Sequence, residues 1–266
     1  MSDQDWSRVF DRSYAEHSRS TRQRVWREVY GPEYAEHAEP YSYVSRSELE
    51  MFAEYLRVGP SDTLADLGCG RGGPGLIVAA RTGARLIGLD LSEVAIADAR
   101  RAAERFRLSS PAEFRRSDIA ATGLPDGCVE AAMSVDALTF APDKQQALRE
   151  IARILTPGGR LVFTSWDYRR TPDNRPPQVA DHRPLLDRAG FDVLAYQETT
   201  DWRNRWQATS EGMIAHRAEL VAELGEERAE ATVQSLRRQL DDQLPLATRR
   251  VLAVAERRRT NRMPRG

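Results

Sequence analysis

The sequence predicts an α/β fold with a doubly wound, mostly parallel, seven-stranded sheet. Short apolar segments alternate with segments of helical period from Thr63 onward, and a glycine-rich turn follows the first apolar segment. Open sheets of this kind bind ligands at the carboxyl ends of their strands. We therefore expect the functional residues to lie just after the strands.

Each element has its own signal in the sequence. The predicted strands are the apolar segments TLADLG, ARLIGLD, AEFRRSD, CVEAAMSVD, RLVFTSWD, FDVLAYQETT and RRVLAVAERR. The helices between them are GPGLIVAARTG, EVAIADARRAAERF, DKQQALREIARILTPGG and PLLDRAGF. Ser45 with Glu48 forms a capping-box sequence, Ser92 stands at an N-cap, and Gly83 ends a helix.

Three parts are predicted along the chain. Residues 1–44 combine aromatic side chains at roughly helical spacing with a tyrosine-rich loop, which indicates an N-terminal helical lid segment. Residues 45–257 form the main domain, with a helical cap insertion at about 208–243 before the last strand. Residues 258–266 are predicted as an Arg-rich solvated tail.

Composition excludes several classes of partner. The 266 residues are 41% hydrophobic and carry a net charge of −1, so no basic field attracts nucleic acid or an anionic membrane. Two cysteines with no accompanying His cluster predict neither a disulfide framework nor a metal site. The sequence shows neither a signal peptide nor the roughly 20 apolar residues of a membrane span. We expect a soluble, cytoplasmic protein with a small-molecule substrate, and leave a homodimer open.

The segment LADLGCGRGGPGL allows two classes of cofactor. Gly68, Gly70 and Gly73 match the dinucleotide pattern G-x-G-x-x-G, and Asp90 lies near the position of a ribose-binding acid. An NAD(P)-dependent oxidoreductase is therefore one hypothesis. Arg71, which could meet a phosphate, also favours it.

The acidic residues around the turn favour the other class. Asp66, two residues before the first glycine, would repel a pyrophosphate but attract an ammonium or sulfonium group. Asp118 follows the third strand, where a carboxylate can accept a hydrogen bond from an adenine amino group. A ligand with adenosine at one end and a cation at the other is S-adenosylmethionine.

Five motifs resemble, in order and spacing, those of the class I (Rossmann-like) S-adenosylmethionine-dependent methyltransferases, in particular their bacterial small-molecule branch. They are LADLGCGRGG, GLDLS, RRSDIAATGLP, MSVDALTFAPD and LTPGGRLVF, and the resemblance runs from about Ser45 to Phe191. It implies S-adenosylmethionine as cofactor and methyl transfer to an O, N or C atom of a small molecule, in bacterial natural-product metabolism. A non-catalytic S-adenosylmethionine-binding protein is a third hypothesis.

The resemblance also implies a cofactor-binding set: Asp66, Gly68, Gly70, Gly72, Asp90, Leu91, Asp118, Ile119 and Ser134. The glycines would form the wall against the methionine part and the ribose. Asp90 would accept from the ribose hydroxyls, while Leu91, Asp118 and Ile119 would contact the adenine. The Ser134 carbonyl would receive the ammonium group, and Asp66 would hold the same end.

Candidates for catalysis and substrate binding are fewer. Sugar O-methyltransferases of this branch carry a His pair after the fourth strand, where this chain has Thr139 and Phe140. Asp136 is the nearest acid and our candidate catalytic residue, with His37 and His17 as further candidates near the predicted lid.

Aromatic residues of the N-terminal segment are the candidates for closing the site. Tyr43 is predicted to contact the cofactor, because a phenol can donate to its carboxylate and a ring attracts its sulfonium. Tyr14 and Tyr41 are predicted to contact the substrate, and Trp26 to line the same pocket or to dock its helix.

Overall fold

The sheet has the architecture that the sequence predicts. In this computed structural model the described residues are 6–15, 19–39, 41–106, 108, 110–173 and 175–259. Their strands are β1 Thr63–Leu67, β2 Arg85–Asp90, β3 Ala112–Arg116, β4 Val129–Val135, β5 Leu155–Tyr168, β6 Phe191–Glu198 and β7 Ala247–Arg257. They form a seven-stranded sheet in the order β3-β2-β1-β4-β5-β7-β6. Among the described strands only β7 pairs antiparallel with its neighbours, and the other pairs are parallel. The prediction of a mostly parallel sheet is therefore confirmed.

Helices cover both faces of this sheet. They are α1 Trp6–Ala15, α2 Ser20–Tyr30, α3 Arg46–Leu56, α4 Gly73–Thr82, α5 Glu93–Arg105, α6 Lys144–Ile154, α7 Arg183–Arg188, α8 Trp202–Ala215, α9 Arg217–Leu224 and α10 Glu226–Arg238. One apolar cluster joins α3, α4 and α5 to the strands, and a second joins α6 and α7 to them. Both faces of a largely parallel sheet are thus buried, which is why its strands are nearly continuously apolar.

The local signals are found where the sequence places them, with one exception. The capping box of Ser45 and Glu48 is formed, and the Ser92 hydroxyl accepts from the Ala95 N–H. The predicted helix through LTPGG is wrong at its end, because α6 stops at Ile154 and Leu155 already pairs in β5. The residue that precedes a proline avoids helical conformation, so Pro157 ends the helix two residues early.

The N-terminal helices pack against the helices inserted between β6 and β7. Val25, Trp26 and Tyr30 of α2 share a buried apolar cluster with α8, α9 and α10. These inserted helices begin at Trp202, earlier than predicted, and a π-helical turn follows at Gln239–Gln243. The predicted tail lies mostly outside the described residues, although Arg258 forms ion pairs with Asp187 and Asp192.

A single buried arginine joins the main elements. The Arg250 side chain, only 1% exposed, donates from Nε and Nη2 to Asp136 just after β4, over 3.0 and 3.2 Å. Its Nη1 donates to Glu48 of α3 over 2.7 Å and to the Thr199 hydroxyl over 3.2 Å. The Tyr43 N–H donates to the same Asp136 carboxylate over 2.9 Å. Burial lowers the pKa of Arg250, but the two carboxylates outweigh it and raise that pKa above the ordinary value.

We predict that Arg250→Met destabilises the protein strongly, because it leaves the Asp136 and Glu48 carboxylates buried without a cation. Loss of one partner of a buried ion pair costs about 3–5 kcal/mol. Urea denaturation at neutral pH measures the change, with Arg258→Met, which removes an exposed pair, as the control. Equal effects of the two variants would contradict the central role of Arg250.

Candidate active site

A cavity of about 920 Å³ lies at the carboxyl ends of the strands. Asp66, Asp90 and Val135, from β1, β2 and β4, line one side of it. The other side is formed by α1, α2, residues 41–43 and α10. The cavity is therefore at the edge of the sheet where the sequence predicts ligand binding.

Two glycines of the turn after β1 are required by close approach. Gly68 has φ +72°, and a Cβ there would lie 2.2 Å from the Ala137 Cβ. Gly70 has φ +53°, and a Cβ there would lie 2.6 Å from the Tyr14 hydroxyl. The Gly70 N–H donates to Asp90 Oδ2 over 2.8 Å, so the turn is tied to the end of β2.

The third predicted glycine, Gly72, does not face the cavity. Its φ is +82°, and a Cβ there would lie 3.0 Å from the Phe114 ring and 3.1 Å from Ala99. Gly72 is absent from the cavity lining and instead allows α4 to pack close to α5 and β3. The predicted wall against the ligand is thus wrong for Gly72, whose freedom serves packing.

Two buried acids lie side by side at the glycine turn. Asp66 is 1% exposed, and its Oδ2 has no hydrogen-bond partner among the described residues. Burial and the Asp90 carboxylate raise the pKa of Asp66 to about 8. Asp90 accepts from the Gly70 and Ser92 N–H groups, and burial raises its pKa as well. The turn therefore presents, in Asp66, a partly protonated carboxyl group that a nearby cation would ionise.

The residues predicted for adenine line the same cavity. Leu91, Asp118 and Ile119 all contact it at the ends of β2 and β3. Asp118 Oδ1 also accepts from the Ala120 N–H over 2.8 Å, so this carboxylate shapes its own turn as well.

Ser134 lies within β4 and is 1% exposed, and its hydroxyl donates to the Leu67 carbonyl over 2.8 Å. The residues of this segment that line the cavity are Val135, Asp136 and Ala137. β4 ends at Val135, one residue before the end of the predicted strand. The contact through the Ser134 carbonyl stays a prediction.

The two described catalytic candidates lie in different places. Asp136 lines the cavity, but its carboxylate is held by Arg250 and by the Tyr43 N–H. His37 is exposed, lies edge-on to Phe106 and does not line the cavity. Neither position supports a role as base, so both assignments stay predictions, and His17 lies outside the described residues.

The aromatic residues form a chamber at the other end of the cavity. The Tyr43 ring packs against Trp26, Trp166 and Trp206 with ring centroids 5.6–5.9 Å apart. Tyr14, Tyr41 and Trp26 line the cavity as well, and their predicted contacts with the substrate stay predictions. We call this part, defined by Trp26, Tyr43 and Trp166, the aromatic chamber.

Comparison with known proteins identifies the family of this sheet and turn. The family model described as "Methyltransferase domain" matches residues 65–163, which span β1 to β5. The resemblance to methyltransferases that the sequence motifs predict is thereby confirmed for this part of the chain.

Curated relatives match the chain over part of its length. The chain is 30% identical over 180 residues to sterol 24-C-methyltransferase erg6 of Aspergillus fumigatus, covering 60% of this chain and 48% of that protein. It is 27% identical over 205 residues to methyltransferase GfsG of Streptomyces halstedii, covering 71% and 73%. The chain thus spans about half the length of the first relative and most of the second.

Solved structures share the fold over nearly the whole chain. The [4+2]-cyclase SpnF superposes with a TM-score of 0.74 at 22% identity, covering 97% of both chains. Geranyl diphosphate C-methyltransferase of Streptomyces coelicolor, solved with S-adenosyl-L-homocysteine, gives 0.66 at 20% identity, covering 96% and 99%. These superpositions cover the N-terminal helices and the helices inserted between β6 and β7.

Two searches of the described residues concern other classes of site. None of their helices has the length and apolar character that crossing a bilayer requires. No three His, Cys, Asp or Glu side chains among them cluster as metal ligands.

Sequence reasoning missed residues that the fold brings to the cavity. Arg22 of α2 and Trp166 of β5 line it, and neither lies in a recognisable motif. Arg71, which we considered for a phosphate, is paired with Asp98 over 3.0 Å and with Glu39 over 3.4 Å. This pairing removes Arg71 as an observation in favour of a dinucleotide.

We predict that Asp66 makes the stability of the unliganded protein pH-dependent. Its pKa is raised from 3.8 to about 8, so the folded protein keeps a proton that the unfolded chain releases. The resulting stabilisation is complete below pH about 4 and is lost as the pH rises through about 8. Melting temperatures of Asp66→Asn should fall less over this window than those of the wild type. Asp126→Asn, at an exposed site, is the control, and identical slopes for all three proteins would refute the assignment.

We predict that Gly68→Ala is far more damaging than Gly123→Ala. Both glycines have positive φ, +72° and +69°, so both variants carry a left-handed strain of about 1–2 kcal/mol. Only the first would also collide with Ala137, since nothing lies within 4 Å of a Cβ at Gly123. Thermal denaturation of the pair isolates the collision, and equal losses would show that backbone strain alone makes Gly68 necessary.

Proposed function

We propose that the chain is an S-adenosylmethionine-dependent methyltransferase that acts on a small organic molecule. The observation that carries this proposal is one continuous cavity of about 920 Å³ with an acidic glycine turn at one end and the aromatic chamber at the other. A cationic adenosine cofactor and an apolar acceptor need these two environments in contact. We further propose a role in bacterial natural-product metabolism, supported by the likeness to GfsG of Streptomyces halstedii.

The residues present fit the cofactor. Asp66 offers a buried acceptor to a cation, since its Oδ2 has no hydrogen-bond partner among the described residues. A Cβ at Gly68 or Gly70 would collide with Ala137 or with the Tyr14 hydroxyl, so the turn stays bare. Asp90 retains lone pairs for ribose hydroxyls, because each of its oxygens accepts one backbone N–H. We assign Leu91, Asp118 and Ile119 to the adenine and Tyr43 to the boundary with the acceptor.

The cofactor supplies an activated methyl group, so the protein's own contribution is alignment and exclusion of water. α1, α2 and α10 cover the cavity from the side opposite the strand ends. Trp26, Tyr43 and Trp166 present ring faces that hold an apolar acceptor and attract positive charge. These residues would position the acceptor atom beside the acidic turn.

The lining favours an acceptor that needs no strong base. Among the described lining residues there is no histidine, and Asp136 is neutralised by Arg250. An amine, an acidic hydroxyl or an activated carbon can react without a positioned base, whereas an ordinary alcohol requires one. We infer that the acceptor belongs to the first group.

A second candidate is a protein that binds the cofactor without transferring its methyl group. The same lack of a free base favours it, and SpnF, which covers 97% of the chain in fold, is described as a cyclase. Incubation with methyl-labelled cofactor and an extract of the native organism separates the two. Label transfer to a small molecule supports the methyltransferase, and cofactor binding without any transfer supports the second candidate.

The proposed cofactor is a product of cytoplasmic metabolism, and we therefore also propose a cytoplasmic location. S-adenosylhomocysteine and NADH, added separately to the purified protein, test the proposed cofactor by thermal shift. Ligand at 100 times its dissociation constant stabilises by about 2.7 kcal/mol. A shift with NADH and none with S-adenosylhomocysteine would overturn the proposal in favour of an oxidoreductase.

We predict that Asp90→Ala weakens binding of S-adenosylhomocysteine by about 1–3 kcal/mol, because buried hydroxyls lose their acceptor. Isothermal titration calorimetry measures the affinity, and Asp126→Ala, far from the cavity lining, is the matched control. Unchanged affinity in Asp90→Ala would remove this residue from the proposed site.

A further inference from the structure

Arg22 is a half-buried cation of the cavity that forms no ion pair with an acid of the described residues. It lies on α2, lines the cavity and places its guanidinium 4.9 Å from the centre of the Trp26 ring. Its Nε atom is buried and has no hydrogen-bond partner in the part of the chain that the structure describes. The described residues give Arg22 neither a hydrogen bond nor an ion pair. Burial lowers the pKa of Arg22 to about 10, which reflects the missing counter-charge.

Glu223 of α9 raises the pKa of Arg22 against this effect of burial, but its carboxylate already caps a helix. The Glu223 carboxylate accepts from the backbone N–H groups of Arg19, Ser20 and Thr21 at the start of α2. It therefore serves the helix terminus, where a negative charge is stabilising. The cation of Arg22 remains uncompensated on the cavity side.

A second arginine of the cavity has only neutral partners among the described residues. Arg175 donates from Nε and Nη2 to the Gln243 amide oxygen over 3.2 and 2.9 Å, and stacks on Phe140 at 4.6 Å. Burial raises the pKa of the Tyr43 phenol and the charges of Arg22 and Arg175 both lower it, so the two cations lie on the same part of the cavity.

The lack of an ion pair at Arg22 differs from the pairing of the two most deeply buried arginines. Arg71 and Arg250, both almost fully buried, each pair with two carboxylates. A buried charge without a partner costs several kcal/mol. In addition, the Trp166 indole N–H, next to Tyr43, is a buried donor without an acceptor among the described residues. The Arg22 Nε and the Trp166 indole N–H are thus two buried donors of the lining that the described residues leave unpaired.

We propose that Arg22, with Arg175 as a second cation, binds an anionic oxygen group, a carboxylate or a phosphate, of a ligand in the aromatic chamber. This inference rests on the proposed function, since the group belongs either to the acceptor or to the methionine part of the cofactor. Arginine binds both groups through its planar fork of donors. The ligand would complete the ion pair that the protein leaves open.

Calorimetry with two cofactor fragments distinguishes the sources. S-adenosylhomocysteine carries the amino-acid carboxylate, and 5′-deoxy-5′-methylthioadenosine lacks it. If the cofactor supplies the anion, Arg22→Gln weakens the first by about tenfold or more and leaves the second unchanged, the scale of losing a hydrogen bond to a charged group. If the acceptor supplies it, both affinities stay unchanged. Benzoate or phenyl phosphate, added with S-adenosylhomocysteine, then raises the melting temperature of the wild type, while benzyl alcohol and Arg22→Gln give no such rise.

Arg24→Gln is the matched control, because Arg24 is on the same helix but forms an exposed pair with Glu219. It should behave as the wild type in every arm. Without ligand, Arg22→Gln should melt at the same or a higher temperature, since it removes an uncompensated charge. Arg22→Lys, which keeps the charge but not the fork, should bind between the two and serves if Arg22→Gln fails to fold.

Two outcomes overturn the anion site. One is a wild type that binds S-adenosylhomocysteine while Arg22→Gln changes neither fragment affinity nor anion response, which leaves the proposed function standing. The other is a large fall in the melting temperature of unliganded Arg22→Gln and Arg22→Lys, which shows a structural role. A wild type that binds neither adenosine fragment contradicts the proposed function instead, and titration of the protein alone with benzoate or phenyl phosphate still decides on the anion site.

Discussion

The buried ion pair network of Arg250 is the constraint on which the rest of the molecule depends. Its guanidinium holds Asp136 after β4, Glu48 of α3 and the Thr199 hydroxyl before α8. Through the Asp136 carboxylate it also fixes the backbone of Tyr43. The wall of the aromatic chamber is thus positioned by electrostatics from within the sheet and not by packing alone. The Asp136 carboxylate, which lines the cavity, thereby serves to position Tyr43.

The opposite end of the cavity depends on close approach. Gly68 and Gly70 bring the turn after β1 against Ala137 and the Tyr14 hydroxyl, at distances that no side chain permits. The same turn donates to Asp90, so the two acids and the glycines form one rigid unit. Rigidity here keeps Asp66 away from water and partly protonated, which prepares the site for a positively charged group.

Periodicity and motifs predicted the fold and most of the residues around the glycine turn, because these features depend on neighbours in the sequence. Asp66, Asp90 and Asp118 line the cavity as predicted, since each follows a strand of a parallel sheet. The pairing of Asp136 was not predicted because its partner, Arg250, lies 114 residues further along the chain. Arg22 was missed because one arginine in an arginine-rich chain carries no local signal. Side-chain pairing across the fold determines whether a charge is satisfied, and no sequence pattern records it.

The third apolar cluster has a consequence for how the protein is made. Trp26 and Tyr30 of α2 are buried against helices of the insertion, including Val233 of α10. During synthesis the beginning of the chain emerges from the ribosome long before these partners exist, while domains fold in the order in which they appear. The aromatic side chains of α2 therefore stay exposed on the nascent chain until α10 has been translated. The sheet can form first, and the chamber closes only near the end of translation.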